Sequence, residues 1–126
     1  MPHHLVGGRL IADAYARASE FDIDTIIIIG PNHFDTGSSW IMTTDVTWDT
    51  PYGRVEADSD VITKLQKVLP LSIESEFVSK EHSVSSQMPF IAEYLPHAKV
   101  IPIVLSGHTK PEELEQLKKT ISSIID

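Results

Sequence analysis

The chain has 126 residues, of which 41% are hydrophobic and 22% are charged, so it can fold around one hydrophobic core as a single domain. The chain has 10 Lys and Arg residues and 18 Asp and Glu residues, so its formal charge is -8. This negative charge argues against nucleic acid or an anionic membrane as a partner. The chain contains no cysteine, which excludes disulfides and thiolate metal sites within it. Without an apolar signal core or a transmembrane run, we expect a soluble, cytoplasmic protein.

Two histidines stand near the start of the chain. His3 and His4 lie between Pro2 and Gly7-Gly8, just before or at the start of a helical pattern. The proline before them and the glycines after them indicate a built loop with a functional role. The alternative is a disordered chain end or the remnant of an expression tag, because chain termini are usually poorly ordered.

The most informative segment is the isoleucine run 26–29, which ends at Gly30-Pro31. A short β-branched run bounded by Gly and Pro predicts a strand buried on both faces, as in a parallel sheet. Ligands of open α/β sheets bind beyond the carboxyl ends of the strands, and Asn32 and His33 fall there. His33 is therefore a candidate site residue, and the alternative is a histidine held by loop backbone groups. Asp35 caps or turns the loop.

The segment Glu81-His82-Ser83 precedes a second helical pattern. The apolar residues that follow are spaced by four, three and four positions and predict a helix facing the core: Val84, Met88, Ile91 and Leu95. Pro89 predicts a kink, or a helix that starts later, near Ser86. Since backbone N–H groups at a helix N-terminus favour anions, we take this segment as a candidate site. The alternative is that Ser83 caps the helix and His82 is a solvated neighbour.

The remaining elements alternate in the manner of an α/β protein. Strands are predicted at 39–44, 54–56 and 99–105, an extended segment at 71–77, and a turn-rich loop at 47–53. Asp58 predicts the N-cap of a helix whose apolar face ends before Pro70. Thr109 and Glu112 form the pattern of a capping box before an amphipathic last helix. Pro102 favours a bulge or a position near the sheet edge, and His97 and His108 are expected to be solvated loop residues.

Histidine is the commonest metal ligand in its neutral form. Two histidines and one carboxylate with open positions are typical of non-haem Fe(II) oxygenases. His3, His33 and His82 are far apart in sequence, so only the fold could bring them together. The sequence contains no nucleophile elbow, Walker loop, dinucleotide fingerprint or HExxH pattern.

Five ordered blocks of the sequence resemble the Memo family, whose prokaryotic members are labelled AmmeMemoRadiSam system protein B. The blocks are Pro2-His3, Ile29-Gly30-Pro31-Asn32-His33, Thr50-Pro51-Tyr52-Gly53 with Glu56 and Asp58, Glu81-His82-Ser83 with Gln87-Met88-Pro89-Phe90, and Val100-Ile101-Pro102-Ile103-Val104. The resemblance implies a fold similar to the class III, LigB-like extradiol dioxygenases. The fold class is then α/β, with a mixed, largely parallel sheet flanked by helices. Family members are longer, so residues 1–126 would form a partial Memo-like domain.

The same resemblance implies roles for individual residues. His3 and His33 would be ligands of a divalent metal, with Fe(II) expected, and His82 would line the cleft as the catalytic acid or base. Asn32 would position the loop, and Glu81 would lie in the cleft or beside the ligands. The late family block Ser-Asp-x-Ser/Cys-His, which supplies the remaining metal-site residues, is absent from the sequence. Glu81 or Asp35 could take the place of the third ligand.

Three functions remain open from the sequence. The first is a metal-dependent, dioxygenase-like enzyme. The second is a non-catalytic module that binds a small molecule or a peptide in the same cleft, with Trp48 and Tyr52 as its aromatic residues and Arg54 as the only nearby cation. The third is an inactive fragment, which would be poorly folded or would form a homo-oligomer, a dimer, to cover an exposed sheet face.

Overall fold

The structure is a computed structural model of the chain, and it describes residues 4–31 and 39–125. For residues 4–8, 76, 77, 82 and 125 only the backbone is described. Helices and strands follow in this order: α1 (His4–Ala18), β1 (Thr25–Pro31), β2 (Ile41–Thr43), β3 (Thr47–Thr50), β4 (Gly53–Glu56), α2 (Ser59–Gln66), β5 (Ser72–Ile73), α3 (Ser75–Val78), α4 (His82–Ser85), α5 (Met88–Tyr94), β6 (Lys99–Leu105) and α6 (Pro111–Ile125). None of the helices described is long and apolar enough to cross a membrane.

The main sheet has four strands in the order β1-β6-β2-β5. β1 pairs with β6 in parallel along its whole length, from Thr25 opposite Lys99 to Pro31 opposite Leu105. β2 runs antiparallel to β6 and parallel to β5. The sheet is thus mixed and largely parallel, and helices flank it, which confirms the predicted fold class.

Side chains of the central strand β6 supply two cores, one on each face of the sheet. Val100 and Val104 belong to a core with residues of α1, α4 and α5, whereas Ile101 and Ile103 belong to a core with residues of α2 and α6. Both cores depend on the alternation of side chains along a strand. All four residues are 1% exposed or less, which explains why the segment is a continuous apolar run.

Pro102 lies in the middle of the sheet, so the expected position near an edge is wrong. It is paired with Ile28 of β1 on one side. On the other side β2 reaches only Val104 and Leu105, and the Asp58 N–H donates to the Val100 carbonyl at 2.8 Å. Pro102 therefore lies between Val100, which binds Asp58, and Val104, which pairs with β2. The Pro102 carbonyl accepts from the Thr43 hydroxyl at 2.5 Å. A proline is tolerated here because no ladder bond requires its missing N–H.

The helix starts differ from two of the sequence predictions. Helix α1 begins at His4 and continues through Gly7-Gly8, so these residues do not form the built loop that was expected. Helix α6 begins at Pro111, and the Glu113 carboxylate accepts from the Lys110 N–H at 2.8 Å. The capping contact is therefore one residue later than Thr109 and Glu112, because proline is favoured at the first helical position.

Four further predictions were right in full or in part. Asp58 caps α2, and its carboxylate accepts from the Val61 N–H at 3.3 Å. The loop predicted at 47–53 is instead a hairpin, in which β3 and β4 pair antiparallel. Pro89 separates two helices, with α5 starting at Met88, because a proline is accepted in the first turn but not in a helix interior. Only Ser72–Ile73 of the segment 71–77 is a strand, and α3 follows it.

Candidate functional site

The carboxyl end of β1 lies in direct contact with α4. Gly30 is buried there, and a side chain at this position would overlap the Ser83 hydroxyl and lie 3.0 Å from the Ser83 Cβ atom. Glycine, which has no side chain, leaves the room that the Ser83 side chain occupies. The fold therefore brings Glu81-His82-Ser83 next to the strand end from which Asn32 and His33 follow.

Glu81 is the capping residue of α4. Its side chain is 2% exposed, and its carboxylate accepts from the Ser83 N–H at 3.3 Å. Its carbonyl accepts from the Ser85 N–H at 2.8 Å. The sequence alternative in which Ser83 caps the helix is therefore wrong, because Ser83 lies inside the first turn and Glu81 precedes it. A buried carboxylate held by a backbone N–H is fixed in position.

The Ser83 hydroxyl is buried, and among the described residues its oxygen has no hydrogen-bond partner. Buried polar groups in folded proteins are almost always hydrogen-bonded, to protein, water or a ligand. The hydroxyl lies against the end of β1, where a bound group or an ordered water would satisfy it.

Tyr15 joins α1 to the segment between α4 and α5. Its hydroxyl donates to the Gln87 side-chain carbonyl at 2.9 Å, and its ring stacks on Phe90 with the centroids 6.2 Å apart. Burial of the phenol raises the pKa of Tyr15 to about 12, so it stays protonated near neutral pH. Because α1 carries His4 at its start, this contact fixes the helix that leads back to His3.

The predicted site residues are described to different extents. His3, Asn32 and His33, together with Asp35, lie outside the described residues, and for His82 the structure gives only the backbone, at the first position of α4. His97 and His108 are exposed, as expected. Within residues 4–31 and 39–125, no group of three or more His, Asp or Glu residues could hold a metal ion. The contact of Gly30 with Ser83 brings the predicted segment Glu81-His82-Ser83 against the end of β1.

The residues expected to serve a peptide-binding cleft lie elsewhere. Trp48 is half-buried and packs against the core beneath α1 and α5, and its buried indole N–H has no partner among the described residues. Tyr52 is 59% exposed in the turn between β3 and β4. Arg54 pairs with Asp49 at 2.9 Å on the exposed face of the same hairpin. The three residues belong to one hairpin and differ in exposure, with Trp48 packed on the core and Tyr52 and Arg54 facing solvent.

A shallow pocket of about 200 Å³, which was not predicted, lies at the amino end of β6. It is lined by Asp45, Thr47, Glu56, Ala57, Asp58, Ser59, Asp60 and Lys99. Lys99 begins β6, whereas Gly30 is paired with Val104 near the end of β6. The pocket and the Gly30 contact therefore lie at opposite ends of this strand. The only sequence signal for it was the acidic cluster around Asp58, which also serves to cap α2.

Comparison with known proteins gives one consistent result. The family model described as Memo-like protein matches residues 1–126. A MEMO1 family protein of Caldivirga maquilingensis is 35% identical over 130 residues, which cover 100% of this chain and 46% of that protein. A MEMO1 family protein of Pyrobaculum arsenaticum is also 35% identical, over 99% of this chain and 46% of its own length.

A third relative, from Pyrobaculum aerophilum, is 41% identical over 91 residues, which cover 68% of this chain and 31% of that MEMO1 family protein. The chain thus spans less than half the length of the relatives that it matches. The match extends through the strands and helices that surround the Gly30 contact.

Proposed function

Because the chain belongs to the Memo family, we propose that it provides part of a metal site of the non-haem iron type, in which His3 and His33 bind the metal. His82 would hold and transfer a proton beside the metal, and Asn32 would position the loop. The alternative is a non-catalytic module that binds a small molecule or a peptide at the same strand end. The two proposals differ in whether a metal is required.

The lengths of α1 and β1 support the convergence of the two histidines. Helix α1 has 15 residues and β1 has 7, and a short connection joins them. At 1.5 Å per helical residue and 3.3 Å per strand residue, the two elements are about 22 Å and about 23 Å long. If α1 runs antiparallel to β1, elements of such similar length would bring the start of α1 near the end of β1. His3 precedes α1 in the sequence and His33 follows β1, so this arrangement would bring the two histidines together.

The observation that carries the proposal is the contact between Gly30 and Ser83. It brings the start of α4, with His82 at its first position, against the end of β1. Two segments that are distant in sequence thus meet near the carboxyl end of β1, the end of the sheet where α/β proteins bind their ligands.

The described residues at this edge fit a polar group. The buried Ser83 hydroxyl has no partner among the described residues, and the buried Glu81 carboxyl group lies beside the Ser83 backbone. Since Glu81 already accepts from the Ser83 N–H, we assign it the role of fixing the segment rather than that of a metal ligand. Imidazole suits iron and zinc alike. Fe(II) is the metal we propose, because the Memo family resembles the non-haem-iron extradiol dioxygenases.

Each proposed residue then has a defined chemical task. When bound, Fe(II) would act as a Lewis acid and as a template for a catecholate-like substrate and O₂. His82 would accept a proton from a substrate hydroxyl, since an imidazole changes charge near neutral pH. The Ser83 hydroxyl could donate to the bound group, and Glu81 would keep Ser83 in place.

The proposal is tested by Fe(II) binding to anaerobically purified protein. We expect about one metal per chain, and we expect His33→Ala to weaken the affinity by ~10-fold or more, as damage to a metal site does. His97→Ala is the matched control, because His97 is an exposed loop histidine and its removal should leave the affinity unchanged. Circular dichroism verifies that each variant is folded.

Other outcomes are equally informative. A folded protein that binds no metal would contradict the metal site and leave the metal-free binding module or the inactive fragment. Equal loss of affinity in His33→Ala and His97→Ala would mean that the metal binds to surface histidines in general. Oxygen uptake with catechol, measured only after metal binding is established, separates catalysis from binding.

A further inference from the structure

Gln87 lies at a junction of three helices. It is the N-cap residue of α5, and its backbone N–H donates to the Val84 carbonyl of α4 at 3.1 Å. Its side-chain carbonyl accepts from the Tyr15 hydroxyl of α1 at 2.9 Å. Tyr15 and Gln87 are 8% and 7% exposed, so this hydrogen bond is shielded from solvent. Helices α1, α4 and α5 are thus connected through one residue.

The contacts of Gln87 favour a role in holding α1 over a role in capping α5. Helix N-caps are usually Ser, Thr, Asp or Asn, whose short side chains reach the first N–H groups. Gln87 makes no side-chain capping contact, and its carbonyl accepts from Tyr15 instead. The Tyr15 ring also stacks on Phe90, three residues further along the chain. A polar contact and a ring contact therefore hold α1 against the same short segment.

Two of the helices that meet at Gln87 begin at predicted site residues. Helix α1 begins at His4, directly after His3, and α4 begins at His82. The next residue of α4 rests on the end of β1. We propose that Gln87 and Tyr15 are positioning residues of the metal site, because their hydrogen bond fixes α1 relative to α4. This inference rests on the proposed function and adds to it two residues that act through the helices rather than by binding the metal.

The hydrogen bond supplies a constraint that the apolar contacts of α1 lack. Ile11 is fully buried in the first core, but apolar contacts are not directional and tolerate a shift along the helix axis. A hydrogen bond weakens steeply when its geometry changes, so it fixes this position. Tyr15 lies about 16 Å along the axis from His4, and a helix transmits a displacement over such a length as a rigid element. Because metal ligands must be held within about 0.5 Å of their working geometry, a small shift of α1 lowers the affinity.

The test is the Fe(II) affinity of the anaerobically purified full chain. Tyr15→Phe removes only the hydroxyl and keeps the ring stack, and Gln87→Met removes the acceptor with little change of volume. We expect each variant to weaken Fe(II) binding ~10-fold, the lower end of the effect of hydrogen bonds that orient metal ligands. The double variant should lose no more than either single variant, because both substitutions remove the same hydrogen bond.

Asp58→Ala is the control for a general loss of stability. It removes a hydrogen bond at the start of α2, which packs on the other face of the sheet from α1. The Fe(II) affinity of Asp58→Ala should equal that of the wild type. Urea denaturation of Asp58→Ala and Tyr15→Phe shows whether the two variants lose similar amounts of stability.

The position of α1 is measured directly in the metal-free protein. Because the chain contains no cysteine, Arg9→Cys in α1 and Lys80→Cys before α4 place spin labels at two exposed positions alone. Tyr15→Phe should shift or broaden the distribution of distances between the labels, and Asp58→Ala should leave it unchanged. This measurement does not depend on metal binding.

Four results would overturn the proposal. An unchanged label distance in Tyr15→Phe would mean that the hydrogen bond does not position α1. A changed distance with unchanged Fe(II) affinity would separate α1 from the metal site, while the proposed function would stand. Equal losses of affinity in Tyr15→Phe and Asp58→Ala would assign the effect to stability. A wild type that binds no Fe(II) would contradict the proposed function itself, and the inference with it.

Discussion

Gly30 is the residue at which the strand end and α4 meet. A methyl group at this position would overlap the Ser83 hydroxyl, so we expect Gly30→Ala to destabilise the fold by about 1–3 kcal/mol, the usual cost of overpacking. Ser83→Ala alone should be nearly neutral, since it removes a buried hydroxyl without a described partner. In the double variant, Ser83→Ala should recover part of the loss, because the overlap with the hydroxyl disappears while the Cβ atom of position 83 stays 3.0 Å from the added methyl group. Urea denaturation measures all three free energies of unfolding.

The control for this prediction is Gly107→Ala. Nothing lies within contact distance of a side chain at Gly107, so its replacement should change the free energy of unfolding by less than about 0.5 kcal/mol. Equal losses for Gly30→Ala and Gly107→Ala would indicate a general backbone effect. Additive losses in the double variant would show that Gly30 and Ser83 do not contact each other, because neighbouring residues are normally coupled.

At the scale of elements, Asp58 sets where α2 begins. Its carboxylate accepts from the Val61 N–H, and α2 places Ile62 and Leu65 in the second core. We expect Asp58→Ala to lower the free energy of unfolding by about 1 kcal/mol, the typical value of an N-cap. Asp58→Asn keeps an acceptor oxygen and should retain most of the stability. A loss of the same size in both variants would assign the effect to charge in the acidic pocket instead of to the cap.

The elements also show why local signals succeed or fail. The Asp58 cap, the strand 99–105 and the break at Pro89 depend on short stretches of chain, and each was predictable. The hairpin of β3 and β4 was not, because its segment is rich in turn residues and its strands form by pairing with each other. The Glu81 cap was missed since glutamate is not a usual N-cap residue, and only its burial reveals the contact.

At the scale of the whole molecule, β6 joins the two cores into one unit. Trp48 packs against the first core and Trp40 against the second, so Trp40→Phe and Trp48→Phe each leave one fluorescent probe on one side of the sheet. We expect both variants to show the same urea midpoint whether followed by fluorescence or by circular dichroism, because small domains unfold cooperatively. A difference between the fluorescence and circular dichroism midpoints of either variant would mean that the two faces unfold separately.

The sequence by itself determined the family, the α/β fold class and the central strands, because these follow from ordered motifs and from the local alternation of apolar residues. It also singled out Glu81-His82-Ser83 and the end of β1 as related segments. Only the tertiary structure decided that Ser83 rests on Gly30, that Pro102 lies between two partners, and that β6 lies between β1 and β2 in the described sheet. These facts depend on strand order and on contacts between residues distant in sequence, and no local pattern records which strand will be neighbour to which.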